Sequence, residues 1–143
     1  MTPSFPREPE ALAEWFEEHG RSRLPGLLGI DIVTLEPEHC VLRCDIDQRH
    51  LASNGYLHAA TVIALADTAS GYGCVASLPE TATSFTTIEV KSNHTGTVLE
   101  GGVHADATLF HGGRTLQVWD ATVVAEETGR TLAGFRCTQL ILY

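Results

Sequence analysis

The stretch "ASNGYLHAATVIALADTASGYG", residues 52–73, decides the reading of this chain. It opens on a turn signal, Ser53-Asn54-Gly55. It then enters a segment, from Leu57 to about Ser77, that is rich in alanine and carries one charged residue, Asp67. An uninterrupted apolar run of this length predicts a helix with most of its circumference buried. A lone carboxylate in such a helix is costly unless it is paired or used. Asp67 is therefore the first candidate functional residue.

On the N-terminal side, residues 8–20 place Leu12, Trp15 and Phe16 at helical spacing among glutamates, an amphipathic helix closed by Gly20. Residues 21–29, with Pro25, Gly26 and Gly29, read as loop. "IDIVTLEP" reads as a strand stopped by Pro37, and "CVLRCDID" alternates as a half-buried strand should. On the C-terminal side, "SFTTIEVKSNH", "VHADATLF", "RTLQVWDATVVAEE" and "RTLAGFRCTQLIL" are strand-like. Gly101-Gly102, Gly112-Gly113 and the "ETG" at 127–129 read as the turns between them. Short connections between the last three strands predict an antiparallel meander. The order is helix, two strands, long buried helix, four strands. It predicts an α+β fold in which an antiparallel sheet wraps one central helix. Residues 1–143 are expected to form one domain, with 1–24 as an N-terminal helical segment.

Composition narrows the function classes. Nine Lys and Arg against eighteen Asp and Glu give a net charge of -9 with no basic stripe, which argues against a nucleic-acid partner. No apolar run approaches the ~20 residues of a membrane span, so no membrane partner is expected. The first twenty residues are acidic and interrupted by proline, which predicts a cytoplasmic protein. Cys40, Cys44, Cys74 and Cys137 contain no CxxC pair and read as packing residues. No G-x-S-x-G elbow or glycine-rich phosphate loop is present. His104 and Asp106 share one strand, and no His/Cys pair has ligand spacing, so neither a metal nor a cofactor is expected.

Residues 50–143 resemble the hotdog-fold thioesterases, in particular the phenylacetate-pathway and 4-hydroxybenzoyl-CoA thioesterase group. That group carries G-x-x-H-G-G followed nine residues after the histidine by an Asp or Glu. The matching residues are Gly55, Tyr56, Leu57, His58, Ala59, Ala60 and then Asp67 in "LADTA". "IEVKSNHTGTVLEGG" resembles the family's third strand and its "NH…EG" turn, and Trp119-Asp120 resembles a tryptophan-aspartate pair common in the next hairpin. Four positions depart from the pattern. The two glycines after the histidine are Ala59 and Ala60. A Gln or Asn six residues before it is Ala52. A Ser or Thr four residues after the acid is Gly71, with Thr68 and Ser70 close by. The turn after His94 has none of the arginines that some relatives set against coenzyme A phosphates.

The resemblance implies hydrolysis of an acyl-CoA thioester, with an aryl or medium-chain acyl group. The oxyanion would be held by the Ala59 N–H, one of the first N–H groups of the helix, which have no intrahelical partner. His58 would orient that loop or the carbonyl. Asp67 would act as general base for water or as a nucleophile. Eight residues at 1.5 Å rise separate Ala59 from Asp67 by about 12 Å, so the two must come from different chains, which agrees with the homodimer-interface site the resemblance implies. A dimer of dimers follows for the assembly. Around the site, Asn54 and Gly55 shape the turn, and Ser70 and Gly71 follow the acid. Thr87 resembles a water-holding hydroxyl position and serves equally as strand filler. His94 belongs to the turn or to a pocket wall. Arg114 and Thr115 match positions that meet the nucleotide of coenzyme A in relatives, although a solvated turn arginine fits as well. Two other readings stay open: an acyl-carrier-protein thioesterase, and a non-catalytic acyl-thioester binding module.

Overall fold

Helix α3 (Ala59–Ala76) touches every strand of a six-stranded antiparallel sheet. The computed structural model describes residues 4–143. Residues 1–3, the start of the expected segment 1–24, lie outside the described residues. The other elements are α1 (Pro9–Gly20), α2 (Leu24–Leu28), β1 (Ile30–Glu36), β2 (His39–Ile46), β3 (Ser84–His94), β4 (Gly101–Gly112), β5 (Leu116–Ala125) and β6 (Thr131–Leu142). The spatial order is β1-β2-β4-β5-β6-β3. The expected meander is β4-β5-β6. Strand β3 crosses over to pair with β6 and forms one edge of the sheet, while β1 forms the other.

The sheet's inner face is lined by small and medium side chains at alternate positions: Cys40, Leu42 and Cys44 on β2, Val103, Ala105 and Ala107 on β4, and Trp119, Ala121 and Val123 on β5. Small residues on α3 let the helix settle against them. A Cβ at Gly73 would stand 2.5 Å from the Trp119 ring, so this crossing requires glycine. Val62, Leu65, Ala66, Ala69 and Cys74 bury the same side of α3. By length and composition α3 is apolar enough to cross a membrane, contrary to the sequence expectation, but half of it is buried against this sheet. Its apolarity serves the core.

All four cysteines are free and buried. Burial pushes the Cys40 thiol up to about 12 and Cys137 to about 11, so both pack as neutral thiols. Helix α1 buries Leu12 and Phe16, and the Phe16 ring stacks on Tyr72 of α3 at 3.8 Å between centroids.

Two local expectations are corrected. Residues 21–29 are not all loop, because Leu24–Leu28 form α2. Pro25 stands in the first turn, where its missing N–H costs nothing, and Gly29 closes the helix at φ 68°. Two residues that usually break helices here occupy the two ends of one. Gly101, Gly102 and Gly112 belong to β4 and not to turns. A Cβ at Gly102 would collide with the Glu126 carboxylate that holds Arg43, so a larger residue there would displace that pair.

Candidate active site

The N-terminus of α3 is delivered by a tightly pinned connection. His50 is fully buried. Its Nε2 lies 2.7 Å from the Leu28 carbonyl and its Nδ1 accepts the Asp47 N–H at 2.9 Å, a pattern that assigns the ring proton to Nε2. The His50 carbonyl accepts from the His58 N–H (3.0 Å) and from Thr61 Oγ1 (2.9 Å). Between these points Gly55 turns at φ 86°, and Asn54 Oδ1 accepts the Tyr56 N–H at 3.3 Å, an Asx turn.

His58 is the N-cap of α3: its Nδ1 accepts the Ala60 N–H at 2.9 Å, and its carbonyl accepts from Thr61 and Val62. Three of the first four N–H groups are thereby satisfied. The fourth, on exposed Ala59, has no hydrogen-bond partner among the described residues. A free N–H at the positive end of an eighteen-residue helix is a candidate donor for an anionic oxygen. With Nδ1 engaged by the cap, His58 keeps its Nε2–H free.

Asp67 lies two turns along the same helix. Its Oδ1 is buried without a hydrogen-bond partner, and burial raises its pKa above the ordinary carboxylate range. Among the described residues no arginine or lysine pairs with it, and burial alone accounts for the rise. A half-buried carboxylate with an unpartnered oxygen and a raised pKa is a candidate base or nucleophile. It shares a stripe of α3 with Ala60 and Ala64, which is covered less than the one facing the sheet, and one turn further that stripe is buried at Gly71.

The other expected residues distribute unevenly. Ser70 is fully buried, with its Oγ directed at Cys137 Sγ but without a hydrogen bond of ordinary geometry, so it faces the core. At Gly71 a Cβ would stand 3.1 Å from the Phe85 ring, so its space is taken by Phe85. Thr87 donates its hydroxyl to Gln139 Oε1 at 2.8 Å. His94 lies at the end of β3, with Nε2 2.9 Å from Ser92 Oγ. Arg114 and Thr115 sit in the β4–β5 turn: the Arg114 carbonyl accepts from the Tyr143 hydroxyl and the Thr115 carbonyl from the Ile141 N–H. That turn lies beside the C-terminal end of α3, where Gln117 bonds the Ser77 carbonyl, so within one chain it is most of a helix length from Ala59. His104 and Asp106 take separate partners, Glu126 and His39.

Sequence reading missed two participants. Gln139 is fully buried and connects Thr87 to Cys137, its Nε2 3.3 Å from Sγ. A glutamine at an inward position of the apolar run "CTQLIL" was its available signal. His50 was the other, and its signal was the Asp47–His50 spacing of a capping box.

Comparison with known proteins fits this geometry. Residues 54–132 match the family described as Thioesterase superfamily. The Bacillus subtilis protein ComA2, which carries an esterase name, is 35% identical over 115 residues, covering 80% of this chain and 90% of its own. A 1,4-dihydroxy-2-naphthoyl-CoA hydrolase of Listeria monocytogenes is 31% identical over 111 residues, covering 78% and 89%. Among solved structures, a thioesterase of Haemophilus influenzae superposes with a TM-score of 0.82 at 25% identity, covering 99% of this chain and 95% of that one. A glutamine-to-alanine mutant thioesterase of Pseudomonas aeruginosa reaches 0.84 at 25% identity, covering 91% and 93%. Fold and relatives thus define a hotdog-fold enzyme that hydrolyses thioesters. The chain belongs to the thioesterase superfamily.

Proposed function

We propose that this enzyme hydrolyses an acyl-CoA thioester with an aryl or medium-chain acyl group, at two identical sites in a homodimer. One observation carries the reading: a single helix holds a free N–H at Ala59 and, at Asp67, a half-buried carboxylate whose Oδ1 has no partner among the described residues, about 12 Å apart along its axis. Neither group has a partner among the described residues, and they are too far apart to serve one carbonyl. Antiparallel pairing of two α3 helices places Asp67 of one subunit near Ala59 of the other. The thioester oxygen would then accept the Ala59 N–H while Asp67 takes a proton from water. The hydroxide adds to the carbonyl carbon, and the tetrahedral oxyanion collapses by expelling the thiolate, which recovers the proton from Asp67. In the alternative route the Asp67 carboxylate attacks first, expels the thiolate and forms a mixed anhydride that water cleaves.

The edge strand supports the dimer. Val90 pairs with buried Cys137 and so faces the helix side, yet it is 41% exposed, and neighbouring Ile88 is 56% exposed. An edge of eleven residues with uncovered apolar side chains invites pairing with a second copy. The printed substrate of the Listeria relative, an aryl-CoA, supports the aryl reading. The resemblance to the phenylacetate-pathway and 4-hydroxybenzoyl-CoA group points the same way, and to a dimer of dimers in the cytoplasm. The test is a panel of acyl-CoA, aryl-CoA and acyl-carrier-protein thioesters read with a thiol reagent. Turnover of one or more acyl-CoA members is expected. Release from carrier-protein thioesters alone, or from none, would reject the proposal.

A further inference from the structure

The turn after His94, "TGTVLEGG", contains no Lys or Arg, although any thioester carried on a pantetheine arm brings phosphate with it. The fold places a cation there from a different turn. A Cβ at Gly96 would stand 3.1 Å from Arg130 Nε and 3.1 Å from the Thr131 carbonyl, so the Arg130 side chain lies directly on the backbone of the β3–β4 connection. The Thr95 and Gly96 N–H groups bond the Leu132 carbonyl and lock the two turns together. One residue further, Thr97 Oγ1 accepts the Leu57 N–H at 3.3 Å. Leu57 stands two residues before Ala59. A short bonded path therefore joins Arg130 to the free N–H at the start of α3.

Arg130 is exposed, and its side chain makes no hydrogen bond or ion pair among the described residues. The acidic groups of its own turn are directed elsewhere: Glu126 holds Arg43, and Glu127 lies against Gly101. In a chain of net charge -9, an unpaired guanidinium on the connection that contacts the start of α3 makes a local attractive field for an anionic substrate.

Resting on the thioester-hydrolase reading above, we infer that Arg130 binds a phosphate of the substrate's pantetheine-bearing arm. It supplies from the β5–β6 turn the cation that the β3–β4 turn lacks. A guanidinium suits this task because its fixed fork of donors matches phosphate oxygens. The phosphate belongs either to the nucleotide of coenzyme A or to the phosphopantetheine of a carrier protein, and both carry the same chemistry.

The experiment compares Arg130→Gln with wild type on one acyl group carried three ways: as its CoA thioester, as its carrier-protein thioester, and as its N-acetylcysteamine thioester, which has no phosphate. KM for a phosphate-bearing substrate should rise about tenfold or more at unchanged kcat, on the scale of one lost charge-assisted contact. The N-acetylcysteamine thioester should be turned over as before, and Arg130→Lys should recover part of the loss. Inhibition by 3′,5′-ADP, weakened in Arg130→Gln, would assign the contact to the nucleotide; inhibition unchanged while KM for carrier-protein thioester rises would assign it to phosphopantetheine. Equal losses on all three substrates, or an unchanged KM for both phosphate-bearing ones, overturns the inference. A wild-type protein that releases thiol from none of them defeats the hydrolytic reading instead. Thermal melting of each variant verifies that the fold is intact.

Discussion

The two edges of the sheet are managed in opposite ways. Strand β1 is short, seven residues, and its pairing with β2 is bulged between Ile32 and Thr34. Helices α1 and α2 pack on it, and acidic Asp31 and Glu36 point outward. Each of these features discourages a further strand from joining. Strand β3 is eleven residues long and, among the described residues, pairs with β6 alone and has no helix over its outer side. It presents Ile88 and Val90 to solvent, and the helix stripe beside it carries Asp67 with an oxygen lacking any partner. One edge is finished within the chain and the other is not. The uncovered edge is also where the Asp67 carboxylate lies, so in the proposed account assembly and catalysis are completed by the same event.

The largest expected effect breaks the site and leaves the edge alone. Asp67→Asn should lower kcat by 10²-fold or more, the scale of losing a general base or nucleophile. Near-wild-type turnover by a folded Asp67→Asn protein would remove Asp67 from the chemistry. The next effect breaks the edge and leaves the site's residues in place. Val90→Lys sets a charge on the helix-facing side of β3, where a second subunit is proposed to bury it, and should dissociate the dimer and lower activity in proportion. Light scattering and turnover measured on the same sample check it, and a fully active monomer would contradict the account. The same substitution on β1, Val33→Lys, should change neither property, because Val33 is exposed on the finished edge.

The smallest effects concern the proton on Asp67. Because burial raises its pKa, the carboxylate form that the reaction needs should be lost on acidification at a pH above the ordinary carboxylate value of about 4. The limiting acidic limb of the kcat/KM profile should therefore lie above that value. The stability sign follows from the same shift. A carboxyl whose folded pKa is raised favours the folded state most below its unfolded pKa, and that contribution is lost as pH rises through the folded pKa. Asp67→Asn should thus melt a few degrees higher than wild type near pH 7, with the difference vanishing in acid. A variant that melts lower at pH 7 would mean that Asp67 is held by a stabilising partner.

Much of the fold was legible because its local signals agree with its tertiary arrangement. The run from Leu57 to Ser77 became α3 at Ala59–Ala76, and the "ETG" turn joins β5 to β6. The crossover of β3 to β6 was not legible, since strand pairing at separations from His94–Ala133 out to Ser84–Leu142 leaves no mark in a local pattern. Helix α2 was missed because Pro25 and Gly29 look alike as breakers and as end residues. Asp67 announced itself by being the one charge in an apolar helix. Gln139 did not, because its signal, one amide in an inward strand position, acquires meaning once Thr87 is known to oppose it. Arg130 was hidden for the same reason: its neighbour is Gly96, in another turn.

The central claim, that each site is shared by two chains, is tested most directly by mixing two inactive variants. Asp67→Asn removes the carboxylate. Ala59→Pro removes the N–H at a helical position where proline is tolerated, so the fold should survive, while Ala59→Gly keeps the donor and should keep activity. After subunit exchange at equal concentrations, about half of the dimers are mixed. Each mixed dimer has one site with both lesions and one with neither, so about a quarter of all sites should be active. Recovery of turnover to roughly that fraction of wild type is the predicted result. If mass measurement establishes that exchange has occurred and activity remains at the level of the parent variants, the site lies within one chain and the account is wrong.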